Sequence, residues 1–196
     1  MTSPHGLFTG SPRDALGFLN PIVPTSNATF YRSNLPRFGN YDSVSDAGSV
    51  ALTTQVMTAV PVYLAAGDVI TSVNFYSGTT AAGTPTNWWA ALYSNAAVPA
   101  LLSQSADQLT AAMAAFTKFT VALAAPQTIS KSDVYWVAIM VKATTVPTLL
   151  GQLCVPPVVT GERNLAVTSG AALTGTATAT LAAPTVQRFV PYVVLT

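Results

Sequence analysis

From about Val50 the chain alternates apolar and polar residues with a period of two, which places successive side chains on opposite faces of an extended strand. QVMTAVPVYL puts Val56, Val60, Val62 and Leu64 on one face. GDVITSVNFYSG does the same for Val69, Thr71, Val73 and Phe75, between the turn signals Gly67-Asp68 and Ser77-Gly78. In NWWAALYSN, Trp88, Ala90 and Leu92 oppose Trp89, Ala91 and Tyr93, and TKFTVALAAP aligns Phe119, Val121 and Leu123. DVYWVAIMVKA is rich in β-branched and aromatic residues and reads as a central strand, and RFVPYVVLT closes the chain. Short alternating segments separated by turns predict an all-β fold, an antiparallel, jelly-roll-like β-sandwich.

Three stretches depart from that rhythm. SADQLTAAMAAF, residues 105–116, spaces Leu109, Met113 and Phe116 as a helix would and predicts a single surface turn of helix between strands. Residues 164–186, NLAVTSGAALTGTATATLAAPTV, alternate threonine and alanine as a flat strand with weak register, and Gly170 and Gly175 mark turns. Residues 1–50 carry Pro12, Pro21, Pro24 and Pro36, which rule out long helices and central strands. They also carry Phe18, Ile22, Phe30, Tyr31, Leu35, Phe38 and Tyr41, too apolar a set for a segment that stays in water. The segment reads as an extended docking arm, reaching another subunit or folding back on its own domain. The organisation expected is therefore an arm over 1–50 and a sandwich domain over 51–196. Within the latter, 149–196 contributes the low-complexity stretch and the terminal strand.

Composition sharpens the picture. Half of the 196 residues are hydrophobic and only 8% are charged, against about 25% in ordinary soluble domains. No charge lies between Asp68 and Asp107, or between Arg163 and Arg188. A surface so poor in charge suits a chain that covers itself with other protein. The net charge of +1 offers no basic footprint for nucleic acid. No stretch approaches the apolar length of a membrane span. MTSPHGLFTGSPRD lacks the basic and apolar regions of a signal peptide, so folding in a cytoplasm is expected.

Over residues 54–147, about half of the chain, the sequence resembles a β-sandwich module of virion proteins from tailed phages that infect Actinobacteria. The resemblance lies in VPVYLAAGDVITSVNFYSGTTAAGTPTNWWAALYS, LLSQSADQLTAAMAAFTKFTVALAAPQTI and SDVYWVAIMVKATTVPTL. It is one of pattern and phrase and contains no catalytic motif. It implies a structural protein of a phage particle, used in capsid decoration, in a minor capsid role or in a tail fibre. The arm and the short chain favour decoration, with the major capsid protein and further copies of the chain, commonly as a trimer, as partners. The virion is then its location. A receptor- or carbohydrate-binding module of the tail is the alternative.

Candidate chemistry is sparse. His5 is the only histidine and Glu162 the only glutamate, so a nucleophile has no evident base. Asp14, Asp42, Asp46, Asp68, Asp107 and Asp133 sit mostly in turn contexts, where a short carboxylate caps backbone N–H groups. NYDSVSDAG, with Asp42 and Asp46, lacks calcium-loop spacing, and Asn27-Ala28-Thr29 is a lone sequon. Neither a cofactor nor a metal is expected. Cys154, the only cysteine, reads as a small buried apolar residue. Trp88 and Trp89 must face opposite sides of their strand, so at most one belongs to the inner core. The other, with Tyr93, fits an interface or arm-covered position first, then plain packing, then stacking on a sugar. The small residues of 77–87 read as a broad loop that the tryptophans fix to the core on one side and to a neighbour on the other.

Overall fold

The computed structural model describes residues 32–34, 49–161 and 164–196. These form thirteen strands and, among the described residues, no helix. In chain order they are β1 (Arg32–Ser33), β2 (Ser49–Ala51), β3 (Met57–Leu64), β4 (Val69–Tyr76), β5 (Asn87–Tyr93), β6 (Leu101–Gln104) and β7 (Lys118–Thr128). There follow β8 (Asp133–Lys142), β9 (Thr148–Leu153), β10 (Ala166–Ser169), β11 (Thr185–Gln187), β12 (Phe189–Pro191) and β13 (Val193–Leu195). Every pairing is antiparallel. A six-stranded sheet runs β11-β10-β3-β8-β5-β6, a four-stranded sheet β1-β13-β4-β7, and a three-stranded sheet β12-β9-β2. The chain is an antiparallel β-sandwich, as its period of two requires.

The main core lies between the two larger sheets. Val60, Val62 and Leu64 of β3, Trp88, Ala90 and Leu92 of β5 and Val137, Ile139 and Val141 of β8 face Val73 and Phe75 of β4, Val121 and Leu123 of β7, and Val193 and Leu195 of β13. Phe75, Trp88 and Phe119 form an aromatic knot: Phe75 stacks on Phe119 at 5.4 Å, and Trp88 meets both rings edge-on. Burial of this face is the dominant stabilising term.

One register differs from the expected alternation. In β4 the buried apolar residues are Ile70, Val73 and Phe75, while Val69 is exposed. A bulge explains the switch: the N–H groups of Thr71 and Ser72 both donate to the Thr196 carbonyl, at 2.7 and 2.9 Å. The extra residue moves the side-chain parity to the other face. Pro61 is accommodated within β3 because the β10 pairing ends at Ala59, leaving β3 with β8 alone at that point.

The expected helical turn at 105–116 is absent. Leu109 and Phe116 adopt left-handed backbone, at φ 51° and 49°, which a right-handed helix excludes. Met113 is instead buried in the main core, and the Ala111 and Ala114 carbonyls accept hydrogen bonds from Trp88 Nε1 and Ser77 Oγ. Tertiary contacts override helix propensity.

Two pieces of the segment read as an arm belong to the sheets. β1 pairs with β13, and Asn34 clamps that edge: its Nδ2 donates to the Pro191 carbonyl at 2.7 Å and its Oδ1 accepts from the Val193 N–H at 2.9 Å. β2 pairs with β9. Phe18, Ile22, Phe30, Tyr31, Leu35, Phe38 and Tyr41 lie outside the described residues.

Candidate functional site

The aromatic strand β5 sits beside β8 in the six-stranded sheet, and both strands are buried on both faces. Trp88 points into the main core. Trp89, Ala91 and Tyr93 point outward, onto a second apolar layer with Met57, Ala59, Trp136, Ala138 and Met140. What seals that layer is the alanine-threonine segment, in residues 170–184. It forms no strand over most of its length, contrary to the alternation of its sequence; only Ala166–Ser169 and Thr185–Gln187 at its ends pair as β10 and β11. Between them the chain crosses the sheet as a strap, with Leu173, Ala177 and Leu181 pressed into the layer at intervals of four residues.

The strap is held through its backbone. Trp89 Nε1 donates to the Thr174 carbonyl at 2.7 Å, and the Tyr93 hydroxyl donates to the Thr178 carbonyl at 2.9 Å. Gln104 bridges it twice, donating from Nε2 to the Gly175 carbonyl and accepting the Ala177 N–H at Oε1. Further on, the Leu101 N–H bonds the Ala179 carbonyl and the Leu181 N–H bonds the Pro99 carbonyl. Gly170, at φ +78°, makes the turn into the strap. Gly175 admits a close neighbour, since a Cβ there would stand 2.6 Å from Asp107 Oδ2. Small residues are needed because the strap lies flat on large rings.

This arrangement corrects the expectation that an aromatic of this strand faces a neighbouring subunit or a sugar. Trp88 is 4% exposed, and Trp89 and Tyr93 are fully buried, all three by their own chain. Burial also pushes the Tyr93 phenol above its ordinary pKa, an effect the Thr178 hydrogen bond partly offsets. The broad loop after β4 is likewise fixed internally. The Gly78, Ala82 and Gly83 N–H groups bond the carbonyls of Thr148, Met113 and Thr145.

The described aspartates act on backbone. Asp68 Oδ2 accepts the Ala65 N–H. Asp107 Oδ1 accepts the N–H groups of Trp88 and Leu109, and its Oδ2 takes Asn87 Nδ2. Asp133 pairs with Lys131 at 2.8 Å and accepts the Val134 N–H. Those contacts, the Lys131 hydrogen bond foremost, hold its carboxyl down at about 2. The Lys131–Asp133 pair lines an open cleft of about 330 Å³ with Ser94, Asn95, Gln127 and Tyr135. His5, Asp14, Asp42, Asp46, Glu162 and the Asn27 sequon lie outside the described residues. Among the described residues no three His, Cys, Asp or Glu side chains converge as a metal site would require.

Cys154 is half-buried against the main core, less enclosed than its sequence context suggests, and burial raises its thiol pKa. The residues on either side of it are the feature that sequence reading missed. Leu153, Val155, Pro156, Pro157, Val158 and Val159 are all exposed. The signal was present in LCVPPVV: two prolines after β9 remove the donors that would carry the apolar run into a sheet. No family model matches the chain, and no curated protein matches it in sequence.

Proposed function

We propose that this chain is a non-enzymatic structural protein of a phage virion, and within that class a capsid decoration protein. Its partners are the major capsid protein and further copies of itself. The observation that supports this reading most is where the chain spends its polar chemistry. Asp68, Asp107, Trp89, Tyr93 and Gln104 all bond backbone, so the groups that could do chemistry hold the fold instead. Apolar residues meanwhile remain exposed in the tract 153–159, and the leading segment carries Phe18, Ile22, Phe30 and Tyr31 in its sequence.

The mechanism is cementing. The leading segment buries its apolar side chains across boundaries between capsid subunits, and the sandwich anchors it at Arg32–Ser33 and Asn34. A specific complex buries on the order of 1,600 Å² in total, and the hydrophobic gain resists separation of the subunits. The test is deletion of residues 1–31, which retains β1 and the Asn34 clamp. Loss of particle binding by a shortened chain that still folds is expected. Unchanged binding to expanded capsids would overturn the mechanism.

The alternative, a receptor-binding module of the tail, no longer has its tryptophans. Its remaining support is the cleft of Ser94, Asn95, Gln127 and Lys131, whose size falls at the low end for small-ligand sites. Glycan titration with Asn95→Ala and Gln127→Ala tests it: saturable binding that either variant weakens would favour this reading over decoration.

A further inference from the structure

The exposed tract after β9 ends beside a groove of matching character. Val155, Val158 and Val159 are 70%, 82% and 65% exposed, a run of apolar side chains that a soluble surface rarely presents contiguously. Gly161, the residue that closes the tract with φ +81°, also lines a groove of about 340 Å³. The other walls are Ala97, Pro99, Trp136, Leu181, Pro184 and Val186, with Val186 itself 44% exposed on β11. Ridge and groove are therefore parts of one patch.

Neither part carries charge. No ionisable side chain lines the groove among the described residues, and the sequence has none other than Cys154 between Lys142 and Glu162. β11 is the last strand of its sheet, bonded to β10 alone, and is only three residues long. An uncharged ridge can enter an uncharged groove without desolvating an ion, which is the main electrostatic cost of an interface. The same neutrality disfavours nucleic acid, an anionic lipid surface or an acidic peptide, each of which requires a basic counterpart.

We infer that the patch is a self-association surface, in which the Val155–Val159 ridge of one copy seats in the Pro99–Leu181–Val186 groove of another. A surface that holds both a protruding and a receiving element can satisfy both in one contact with its own kind. The inference rests on the sandwich alone and does not depend on the leading segment or on the virion reading.

Sedimentation of the full chain from low micromolar to near-millimolar concentration tests it, with Val158→Asp/Val159→Asp on the ridge and Val186→Asp on the groove. These side chains are exposed, so the variants are expected to keep the wild-type circular dichroism spectrum and melting temperature when dilute. The wild type is expected to associate as concentration rises, and to do so as strongly in high salt, because apolar contacts are not screened. Either variant weakens association by about tenfold or more. A wild-type chain that stays monomeric throughout would overturn the inference. So would association that both variants leave intact, or that high salt abolishes.

Discussion

Replacing Trp89 by alanine separates a structural role for the tandem tryptophans from a recognition role. The ring is fully buried under the strap, opposite Met140 in the β5–β8 register. Removing a buried aromatic costs about 3–5 kcal/mol, from lost transfer energy and the cavity left behind. The lost hydrogen bond adds little, because Thr174 is itself exposed and water can replace the indole N–H at its carbonyl. Against a total stability of about 5–15 kcal/mol, a loss of that size is a large fraction. Trp89→Phe keeps most of the volume and is expected to lose about 1–2 kcal/mol. Urea unfolding followed by far-ultraviolet circular dichroism measures both variants, with the slope m unchanged. Hydrogen exchange supplies a local readout: the amides of Leu173, Ala177 and Leu181, which bond Gln55, Gln104 and Pro99, should lose protection first. A change below about 0.5 kcal/mol in Trp89→Ala, the value typical of a surface site, would refute the sealed-strap packing.

Other perturbations test other joints of the fold. Asn34→Ala removes both clamps on the β12–β13 junction and should cost about 1–3 kcal/mol, read by urea unfolding, because it leaves the Pro191 carbonyl and Val193 N–H without their partner. Gly175→Ala drives a methyl group to 2.6 Å from Asp107 Oδ2 and is expected to cost about 1–3 kcal/mol in the same assay. Tyr93 is neutral in the fold with a raised pKa, so its contribution is fully present below the unfolded value of about 10 and is lost as pH rises through the folded value. Between about pH 10 and that folded value, the melting temperature should fall less steeply for Tyr93→Phe than for the wild type.

Much of the sandwich was legible because strand parity is a strict rule. The opposition of Trp88, Ala90 and Leu92 to Trp89, Ala91 and Tyr93 follows from alternation alone, and the structure divides them between two apolar layers in that way. The continuous apolar run of β8 likewise marks a strand buried on both faces. What covers the second face was not legible. The strap's alanines and threonines imitate a strand, while its anchors Leu173, Ala177 and Leu181 matter only once Trp89 and Tyr93 are in place beneath them. The bulge in β4 depends on one carbonyl at the distant residue Thr196, which local sequence cannot announce. The helix-like spacing at 105–116 was overridden by Met113 entering the core and by left-handed backbone at Leu109 and Phe116. The exposed tract 153–159 was missed because only Cys154 within it drew a reading, as a small buried residue. Its prolines carried the contrary information.

The proposed role in a virion is tested most directly by labelling the protein and imaging intact phage particles. A regular distribution of label over the head is the expected result, and it would make the 1–31 deletion the next experiment. Label confined to the tail tip would contradict decoration and turn attention to the cleft beside Lys131 and Asp133.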